Sequence, residues 1–249
     1  MIIRPSRRGL LIGAAAALAG CDQLQQNKSV TDFIRIGEGL SKGAQRMFLA
    51  EQPLAREFKP SDLSPIFRAN GSTMPQGGEY AAHMQSQFQN WRLSIDGMVA
   101  RPAAYSLDQL RAMTARTQIT RHDCVEGWSA IGRWTGVPLW SLLAQARVAP
   151  GARFAVFHCA DVMGDGAAYY ESIDLFDAVH PQTMLAYALN GKPLPVANGA
   201  PLRLRVERQL GYKQAKYVHG VELVNSLAKF GGGRGGYWED RGYEWYAGI

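Results

Sequence analysis

Cys124 is the residue of this sequence whose type and position best suit chemistry. It follows an alternating run over residues 116–122 that predicts a strand, and it precedes a glycine- and tryptophan-rich stretch that we expect to be a loop. A thiol at the end of a strand and beside a loop can meet a ligand or a substrate. The ordinary alternative is a cysteine that only packs in the core, as most buried cysteines do.

Two further residues define what this thiol could do. His122 lies two residues before Cys124, hence on the same side of the predicted strand. The pair admits a metal-free thiol enzyme in which Cys124 is the nucleophile and His122 is the base. Cys159 could instead form a disulfide with Cys124. The second alternative is therefore a non-catalytic periplasmic lipoprotein that binds a ligand and is stabilised by this disulfide. The residues alone leave both alternatives open.

The composition is that of a globular protein, since 47% of the 249 residues are hydrophobic and 19% are charged. The formal net charge is +6, but Arg4, Arg7 and Arg8 lie in a segment that we expect to be removed. Without these three arginines the charge falls to +3. So small a charge does not indicate nucleic acid as a partner.

Residues 1–20 are predicted to be a signal peptide, because a basic cluster precedes an apolar run that is too short to span a bilayer. The motif SRRGLL resembles the twin-arginine signal that exports folded proteins. LAGC resembles a bacterial lipobox whose last residue, Cys21, carries a lipid anchor. We therefore expect a periplasmic protein anchored to the inner membrane. An N-terminal extension over residues 21–66 would precede a catalytic domain over residues 67–249.

Short strands and short helices follow one another without a regular β-α-β rhythm, which predicts an α+β domain. Ser106 is expected to cap a helix over residues 107–113. A hairpin over residues 91–99 is expected to turn at Asp96 and Gly97. The other predicted elements are helices over residues 30–49 and 139–146, a helical region over 174–189, strands over 153–160, 202–208 and 217–223, and an aromatic tail over 237–246 that packs on the domain.

Several blocks of the sequence, taken in their order and spacing, resemble the sulfite-oxidase-type molybdopterin enzymes. These blocks are RHDCVEGWS (residues 121–129), WTGVPL (134–139), HPQTMLAYALNGKPLP (180–195), NGAPLR (198–203) and GYKQAK (211–216). The resemblance covers most of residues 67–226. It implies a sulfite-oxidase-like domain of mixed β-sheets and short helices that holds one Mo-molybdopterin per chain.

The resemblance also implies which residues hold the cofactor. Cys124 occupies the position of the single thiolate that binds molybdenum, a soft donor that suits this metal. Cys159 falls where the family places a residue near the cofactor, so a free thiol is expected there in preference to the disulfide. The pterin and its phosphate need polar and cationic donors. The positions that the resemblance assigns to these donors are Asn70, His122, Asn198, Arg203, Lys213, Gln214, Ala215 and Lys216.

The residues after Cys124 bear on the reaction. Sulfite-oxidising members of the family hold their dianionic substrate with an arginine shortly after the metal cysteine, and here Glu126 and Trp128 stand in that stretch. An acid and an indole disfavour sulfite, although Tyr169 matches the active-site tyrosine of those enzymes in position. CVEGWS is more similar to the bacterial periplasmic reductases that remove oxygen from protein methionine sulfoxide. Trp128 would contact the alkyl groups of that substrate.

The activity implied by the resemblance is molybdenum-dependent oxygen-atom transfer in the direction of sulfoxide reduction, with Cys124, Trp128 and Tyr169 at the reacting centre. Oxidation of sulfite or another sulfur substrate is the alternative. The sequence has no haem-attachment motif, so electrons are expected from a membrane haem or quinol partner near the lipid anchor. The sequence also stops before the second domain through which sulfite oxidases dimerise, which predicts a monomer.

Overall fold

The computed structural model describes residues 54–249. The predicted signal peptide, the lipidation site at Cys21 and the predicted helix over residues 30–49 lie outside the described residues. Within residues 54–249, no helix has the length and apolar character that a membrane crossing requires.

The described part of the chain forms two five-stranded sheets. The strands of the first sheet are β1 (Arg92–Gly97), β2 (Ala103–Ser106), β5 (Phe154–Val162), β6 (Ala168–Asp174) and β10 (Val218–Val224). Their order across the sheet is β2-β1-β10-β5-β6. β1 runs parallel to β10, and the other neighbours are antiparallel.

The second sheet is antiparallel throughout. Its strands are β3 (Arg116–Cys124), β4 (Trp128–Pro138), β7 (Met184–Leu189), β8 (Lys192–Pro193) and β9 (Arg203–Arg205). The order is β3-β4-β7-β8, and β9 also pairs with β7. β3 and β4 stay in register up to the pair that joins Cys124 with Trp128.

The helices are short and connect the strands. Ser106 caps the helix Leu107–Ala112 as predicted, since its hydroxyl accepts a hydrogen bond from the Gln109 backbone N–H at 3.2 Å. The main core is formed by fully buried side chains from both sheets and from the helix Leu139–Ala146, among them Leu93, Leu142 and Leu185. The α-helices of the described residues are α1 (Gly78–Gln85), α2 (Leu107–Ala112), α3 (Leu139–Ala146) and α4 (Leu175–Ala178). Mixed sheets with few short helices confirm the predicted α+β class.

The stretch after Cys124 is not the loop that we predicted. A turn of three residues, 125–127, leads directly into β4, whose side chains alternate between buried and half-buried positions. The glycines of β4 are places of close approach and not chain breaks. A side chain at Gly136 would collide with the Leu185 carbonyl oxygen, and one at Gly132 would lie 2.9 Å from the Phe67 ring.

Two other predictions need correction. The predicted helical region over residues 174–189 contains only the single turn α4, and its second half is strand β7. A short run of buried apolar residues fits either a helix or a strand, and here pairing with β4 and β9 decides for the strand. The predicted hairpin does not return directly after Gly97, because the partner strand β2 begins only at Ala103.

Residues 54–66, which the sequence analysis assigned to an N-terminal extension, bond to the second sheet. The Phe58 backbone N–H donates to the Ile119 carbonyl at 2.8 Å, and the Ser64 N–H donates to the Ile131 carbonyl at 3.0 Å. Gln182 exchanges hydrogen bonds with the backbone of Ala55. The segment therefore adds backbone contacts along both β3 and β4.

The aromatic tail packs on the domain as predicted, and a buried ion cluster fixes it there. The Lys213 ammonium contacts the carboxylates of Glu171 on β6 and Glu239 in the tail, and all three side chains are fully buried. Two carboxylates share one cation, so the cluster would carry one excess negative charge if both were ionised. Burial, together with the charge of Glu239, raises the pKa of Glu171 well above its usual range and so favours its protonated form.

Lys213→Met should destabilise the protein by about 3–5 kcal/mol, because it leaves two carboxylates buried without a cation. Glu171→Gln should cost only about 1 kcal/mol, since the remaining Lys213–Glu239 pair is balanced and the amide oxygen can still accept. Lys229→Met, which breaks an exposed pair with Glu222, is the matched control and should cost less than about 1 kcal/mol. Urea denaturation measures all three. Equal losses for Lys213→Met and Glu171→Gln would contradict the excess of negative charge.

Candidate active site

Cys124 ends β3 and lies at the wall of a cavity. The turn that follows is closed by a hydrogen bond from the Gly127 N–H to the Cys124 carbonyl at 3.1 Å, and Gly127 has a φ of +83° that favours glycine. The Cys124 side chain is buried, with 9% of its surface exposed. Strand pairing up to Cys124 therefore fixes the direction of the thiol.

The cavity gathers six of the predicted site residues from distant parts of the chain. It measures about 130 Å³. This is less than the roughly 300–1,000 Å³ of a usual ligand pocket, so the cavity encloses only part of a ligand of cofactor size. The predicted residues that line it are Asn70, Cys124, Tyr169, Gln214, Ala215 and Lys216.

Two buried cations lie beside the cavity. The Arg203 guanidinium is fully buried and donates to the Asn198 carbonyl and to Asn70 Oδ1, both at 3.1 Å. The Lys216 ammonium donates to the backbone carbonyls of Asn70, Ser72 and Ala197. Within residues 54–249, neither cation forms a salt bridge with a carboxylate.

The pKa values of both cations are lowered, which shows that their charged forms are destabilised in this environment. Burial, followed by the charge of Arg205, lowers the pKa of Arg203 to about 9. Burial and then the charge of Arg203 lower the pKa of Lys216 to about 7. Arg205 itself is neutralised by a bidentate pair with Glu207, at 2.6 and 3.0 Å. Asp161 and Glu126 attract Lys216 from a distance, but no carboxylate of residues 54–249 forms a salt bridge with Arg203 or Lys216. The positive charge of these two side chains is desolvated, so an anionic ligand would stabilise it.

Unsatisfied polar atoms lie in the same region. Within the described part of the chain, four buried atoms at the predicted site lack a hydrogen-bond partner: Arg203 Nε, Asn198 Nδ2, His122 Nε2 and Asp161 Oδ1. A buried polar atom without a partner costs free energy, so a set of them around one cavity indicates a missing ligand. Cationic and amide donors beside a soft thiol fit a molybdopterin, which combines a phosphate, a polar ring and a metal.

His122 is held as a neutral ring. His122 Nδ1 lies 3.0 Å from the Arg205 guanidinium, which can only donate, and 3.3 Å from Gln214 Oε1, which can only accept. The shorter contact, with a cation, assigns Nδ1 as the acceptor and the proton to Nε2. Burial, with the charges of Arg203 and Arg205, lowers the pKa of His122 well below its usual range. The lone pair of Nδ1 is therefore engaged, and His122 cannot serve as the base of a thiol enzyme.

Cys124 is not an activated nucleophile either. Burial raises the pKa of the thiol, whereas a nucleophilic cysteine needs a lowered one. A bound metal would release this proton, because a coordinating thiol is deprotonated. The thiol thus suits a metal ligand better than a free nucleophile.

The predicted disulfide alternative disagrees with the structure. Cys124 and Cys159 are both free and buried. Cys159 lies on β5, lines a second cavity and donates a weak hydrogen bond to the Phe157 carbonyl at 3.9 Å. Burial raises the pKa of Cys159 well above its usual range, so it stays a neutral thiol.

Half of the predicted site residues do not line the Cys124 cavity, namely His122, Trp128, Cys159, Asn198, Arg203 and Lys213. The Lys213 ammonium points into the buried cluster with Glu171 and Glu239, so it is committed there and not to a phosphate. Trp128 is half-buried, donates to Glu126 Oε2 at 3.0 Å and packs on His122 with ring centroids 5.5 Å apart. Trp128 thus packs on the buried His122 and does not line the cavity.

The structure adds residues to the cavity that the sequence analysis did not single out. Tyr169, which was predicted, donates to the Tyr212 carbonyl at 2.7 Å, and burial with the charge of Glu171 raises its pKa well above the usual range. It therefore remains a protonated phenol. The added lining residues come from the turn after Cys124, the end of β5 and the aromatic tail, and include Val125, Asp161, Met163, Trp238 and Tyr243. Glu126, which the sequence analysis did name, lines the cavity as well. Only the aromatic content of the tail pointed to Trp238 and Tyr243.

No group of three or more histidine, cysteine or carboxylate side chains among residues 54–249 could hold a metal ion. A site built on one protein thiol does not need such a group, because a pterin dithiolene supplies the other sulfurs. The donor set of the cavity therefore suits a metal that arrives with its own organic ligand.

Comparison with known proteins agrees with this geometry. Residues 80–229 match the model of the oxidoreductase molybdopterin binding domain. A protein of Azospira oryzae with the provisional name protein-methionine-sulfoxide reductase subunit YedZ1 is 34% identical over 97% of this chain and 86% of its own length. The catalytic subunit MsrP of the protein-methionine-sulfoxide reductase from Xanthomonas campestris is 37% identical over 55% of this chain. That match spans 46% of MsrP, so the chain covers about half of this relative.

A solved structure shares the fold. The sulfane dehydrogenase SoxCD from Paracoccus pantotrophus aligns with a TM-score of 0.50 and 24% identity, over 55% of this chain and 39% of its own. The family match over residues 80–229 includes Cys124, Arg203 and Lys216. This chain belongs to the oxidoreductases of the molybdopterin-binding-domain family, and its cofactor is Mo-molybdopterin.

Proposed function

We propose that this protein reduces sulfoxides, methionine sulfoxide in proteins above all, by oxygen-atom transfer at a molybdenum ligated by Cys124. The observation that carries the proposal is the placement of the buried Cys124 thiol in one cavity with Lys216 and Asn70, beside Arg203. When bound, the cofactor supplies two-electron oxygen-atom transfer. The names of the relatives from Azospira and Xanthomonas support the sulfoxide as substrate.

The residues of the chain would bind and orient the cofactor. Arg203 and Lys216 would bind the cofactor phosphate, and Asn70, Asn198 and His122 Nε2 would donate to its polar edge. Gln214 and Ala215 complete the wall of the cavity. The pairing of the cations with the phosphate removes the desolvation cost that the described residues leave uncompensated.

On the substrate side, three groups would act on the sulfoxide. Trp238 and Tyr243 present aromatic surface for its alkyl groups. Burial raises the pKa of Asp161, which can therefore hold a proton beside the departing oxygen. Loss of oxygen from a sulfoxide as water consumes two electrons and two protons. Asp161 on this wall could donate one of these protons.

Sulfite oxidation is the second candidate. Glu126 lines the cavity next to Cys124, and its carboxylate would repel the sulfite dianion. The cation that would hold sulfite in this stretch is absent from the turn over residues 125–127. The charge at the mouth thus favours the uncharged sulfoxide.

The N-terminal motifs support a proposal for the location of the protein. The twin-arginine-like signal and the lipobox at Cys21 support a periplasmic enzyme with a lipid anchor on the inner membrane. Electrons would come from a membrane haem or quinol partner, because a lipid anchor keeps the enzyme close to such a protein. We further propose that the enzyme acts as a monomer.

Cys124→Ser should abolish reduction of methionine sulfoxide, because it removes the thiolate sulfur that would ligate the molybdenum and leaves a much harder oxygen donor in its place. Cys159→Ser, its matched control, should keep most of the activity, since Cys159 does not line the Cys124 cavity. The assay uses enzyme with about one molybdenum per chain, dithionite-reduced viologen as electron donor, and methionine sulfoxide, dimethyl sulfoxide or sulfite as substrate. Unchanged turnover by Cys124→Ser would overturn the ligand assignment.

Cofactor-free protein should bind a divalent anion more strongly at about pH 6 than at about pH 8. The pKa of Lys216 is about 7, so the ammonium is charged below that pH and its attraction for an anion is lost as the pH rises. The measurement is the rise in Tm caused by sulfate, which stays divalent over this range.

Lys216→Met is the control for this experiment. Sulfate also raises Tm through general exclusion from the protein surface, and that part should remain in the variant without the pH dependence. If the wild-type protein and Lys216→Met gained equally at both pH values, Lys216 would not be part of an anion site.

A further inference from the structure

A second cavity lies beside the one that contains Cys124. It measures about 760 Å³ and opens between β5, β6, β10 and the glycine-rich segment that precedes the tail. Three rings give it an aromatic lining, Tyr170, Phe230 and Tyr237, and His158 stands 6.0 Å from the Phe230 ring. Its volume and its lining are those of a small-molecule or side-chain site.

The second cavity is preformed. The Tyr170 hydroxyl donates to Asp240 Oδ2 at 2.7 Å and lies 3.1 Å from the Phe230 carbonyl oxygen. The Arg241 guanidinium covers the Tyr237 ring at 3.5 Å and pairs with Asp165. Rings held in this way lose little freedom when a ligand enters.

The two cavities share their walls. Tyr169 lines both, and its ring centroid is 5.7 Å from that of Tyr237. The tail contributes Trp238 to the Cys124 cavity and its neighbour Tyr237 to the second one. The cavities are therefore separated by about one layer of side chains.

The mouth of the Cys124 cavity also carries exposed apolar side chains. Val125 and Tyr243 line it and are 45% and 41% exposed. Val162, 44% exposed, lies between the lining residues Asp161 and Met163. An apolar rim around an active-site mouth suits contact with a flexible polypeptide that enters one side chain at a time.

We propose that the second cavity is a subsite for an aromatic side chain two or three residues away from the methionine sulfoxide in a polypeptide substrate. This inference rests on the proposed function and names a feature of its substrate. An extended chain advances about 3.3 Å per residue, so two or three residues span the shared wall. The rings of Tyr170, Phe230 and Tyr237 then pack against the guest ring edge to face.

The test compares three substrates of the full-length, cofactor-loaded enzyme. They are N-acetylmethionine sulfoxide, a capped peptide with phenylalanine two residues after methionine sulfoxide, and the same peptide with alanine in its place. Wild-type enzyme should prefer the phenylalanine peptide roughly fivefold or more in kcat/KM, through a lower KM. Isothermal titration with the corresponding methionine peptides, which do not turn over, should show the same preference in Kd.

Phe230→Ala should remove the preference between the two peptides and leave the rate with N-acetylmethionine sulfoxide unchanged. Phe58→Ala is the matched control, because it also removes a half-buried phenyl ring. Phe58 lies beside the second sheet, to which its backbone N–H is hydrogen-bonded, and it does not line the second cavity. Ala168→Trp provides a second variant, since it fills the cavity from an exposed strand position and should also abolish the preference.

The outcomes separate this inference from the function on which it rests. Equal kcat/KM and equal Kd for the two peptides in wild-type enzyme would overturn the subsite and leave sulfoxide reduction standing. A preference that survives both Phe230→Ala and Ala168→Trp would overturn it as well. A molybdenum-loaded enzyme that reduces none of the three substrates would overturn the proposed function itself.

Discussion

The rest of the site depends on two buried cations that form no salt bridge within the described residues. Arg203 and Lys216 are removed from water and satisfied mainly by amide and carbonyl oxygens, which leaves their charge uncompensated. Burial of charge in this state is costly, so an anion bound at these cations would stabilise the fold. A cofactor that carries a phosphate resolves the imbalance and brings the metal to Cys124 from the same cavity.

A second group of buried charges lies apart from that site, and there the carboxylates outnumber the cations. Lys213 lies three residues before Lys216, yet its ammonium is enclosed by Glu171 and Glu239, where negative charge is in excess. One lysine thus joins the tail to the first sheet, while the other faces the ligand. Because the tail also supplies Trp238 and Tyr243 to the cavity, the same ion cluster that stabilises the tail positions the substrate side of the site.

The family resemblance assigned Cys124, Asn70 and Lys216 to the cofactor, and the structure places all three at one cavity. The path of the chain around them was harder to predict. The direction of Lys213 depends on carboxylates 42 and 26 residues away, which no local pattern reveals. Strand β4 was predicted as a loop because its glycines were taken as chain breaks, whereas they allow close packing. Strand β7 was predicted as a helix because a continuous run of buried apolar residues shows neither the helical nor the strand periodicity.

The central claim is that Cys124 is the protein ligand of the metal, and X-ray absorption at the molybdenum edge tests it most directly. Spectra of cofactor-loaded wild-type protein and of Cys124→Ser would be compared at equal molybdenum content. The account predicts that the variant loses one sulfur scatterer and gains an oxygen or nitrogen in its place. An unchanged sulfur shell in the variant would contradict it.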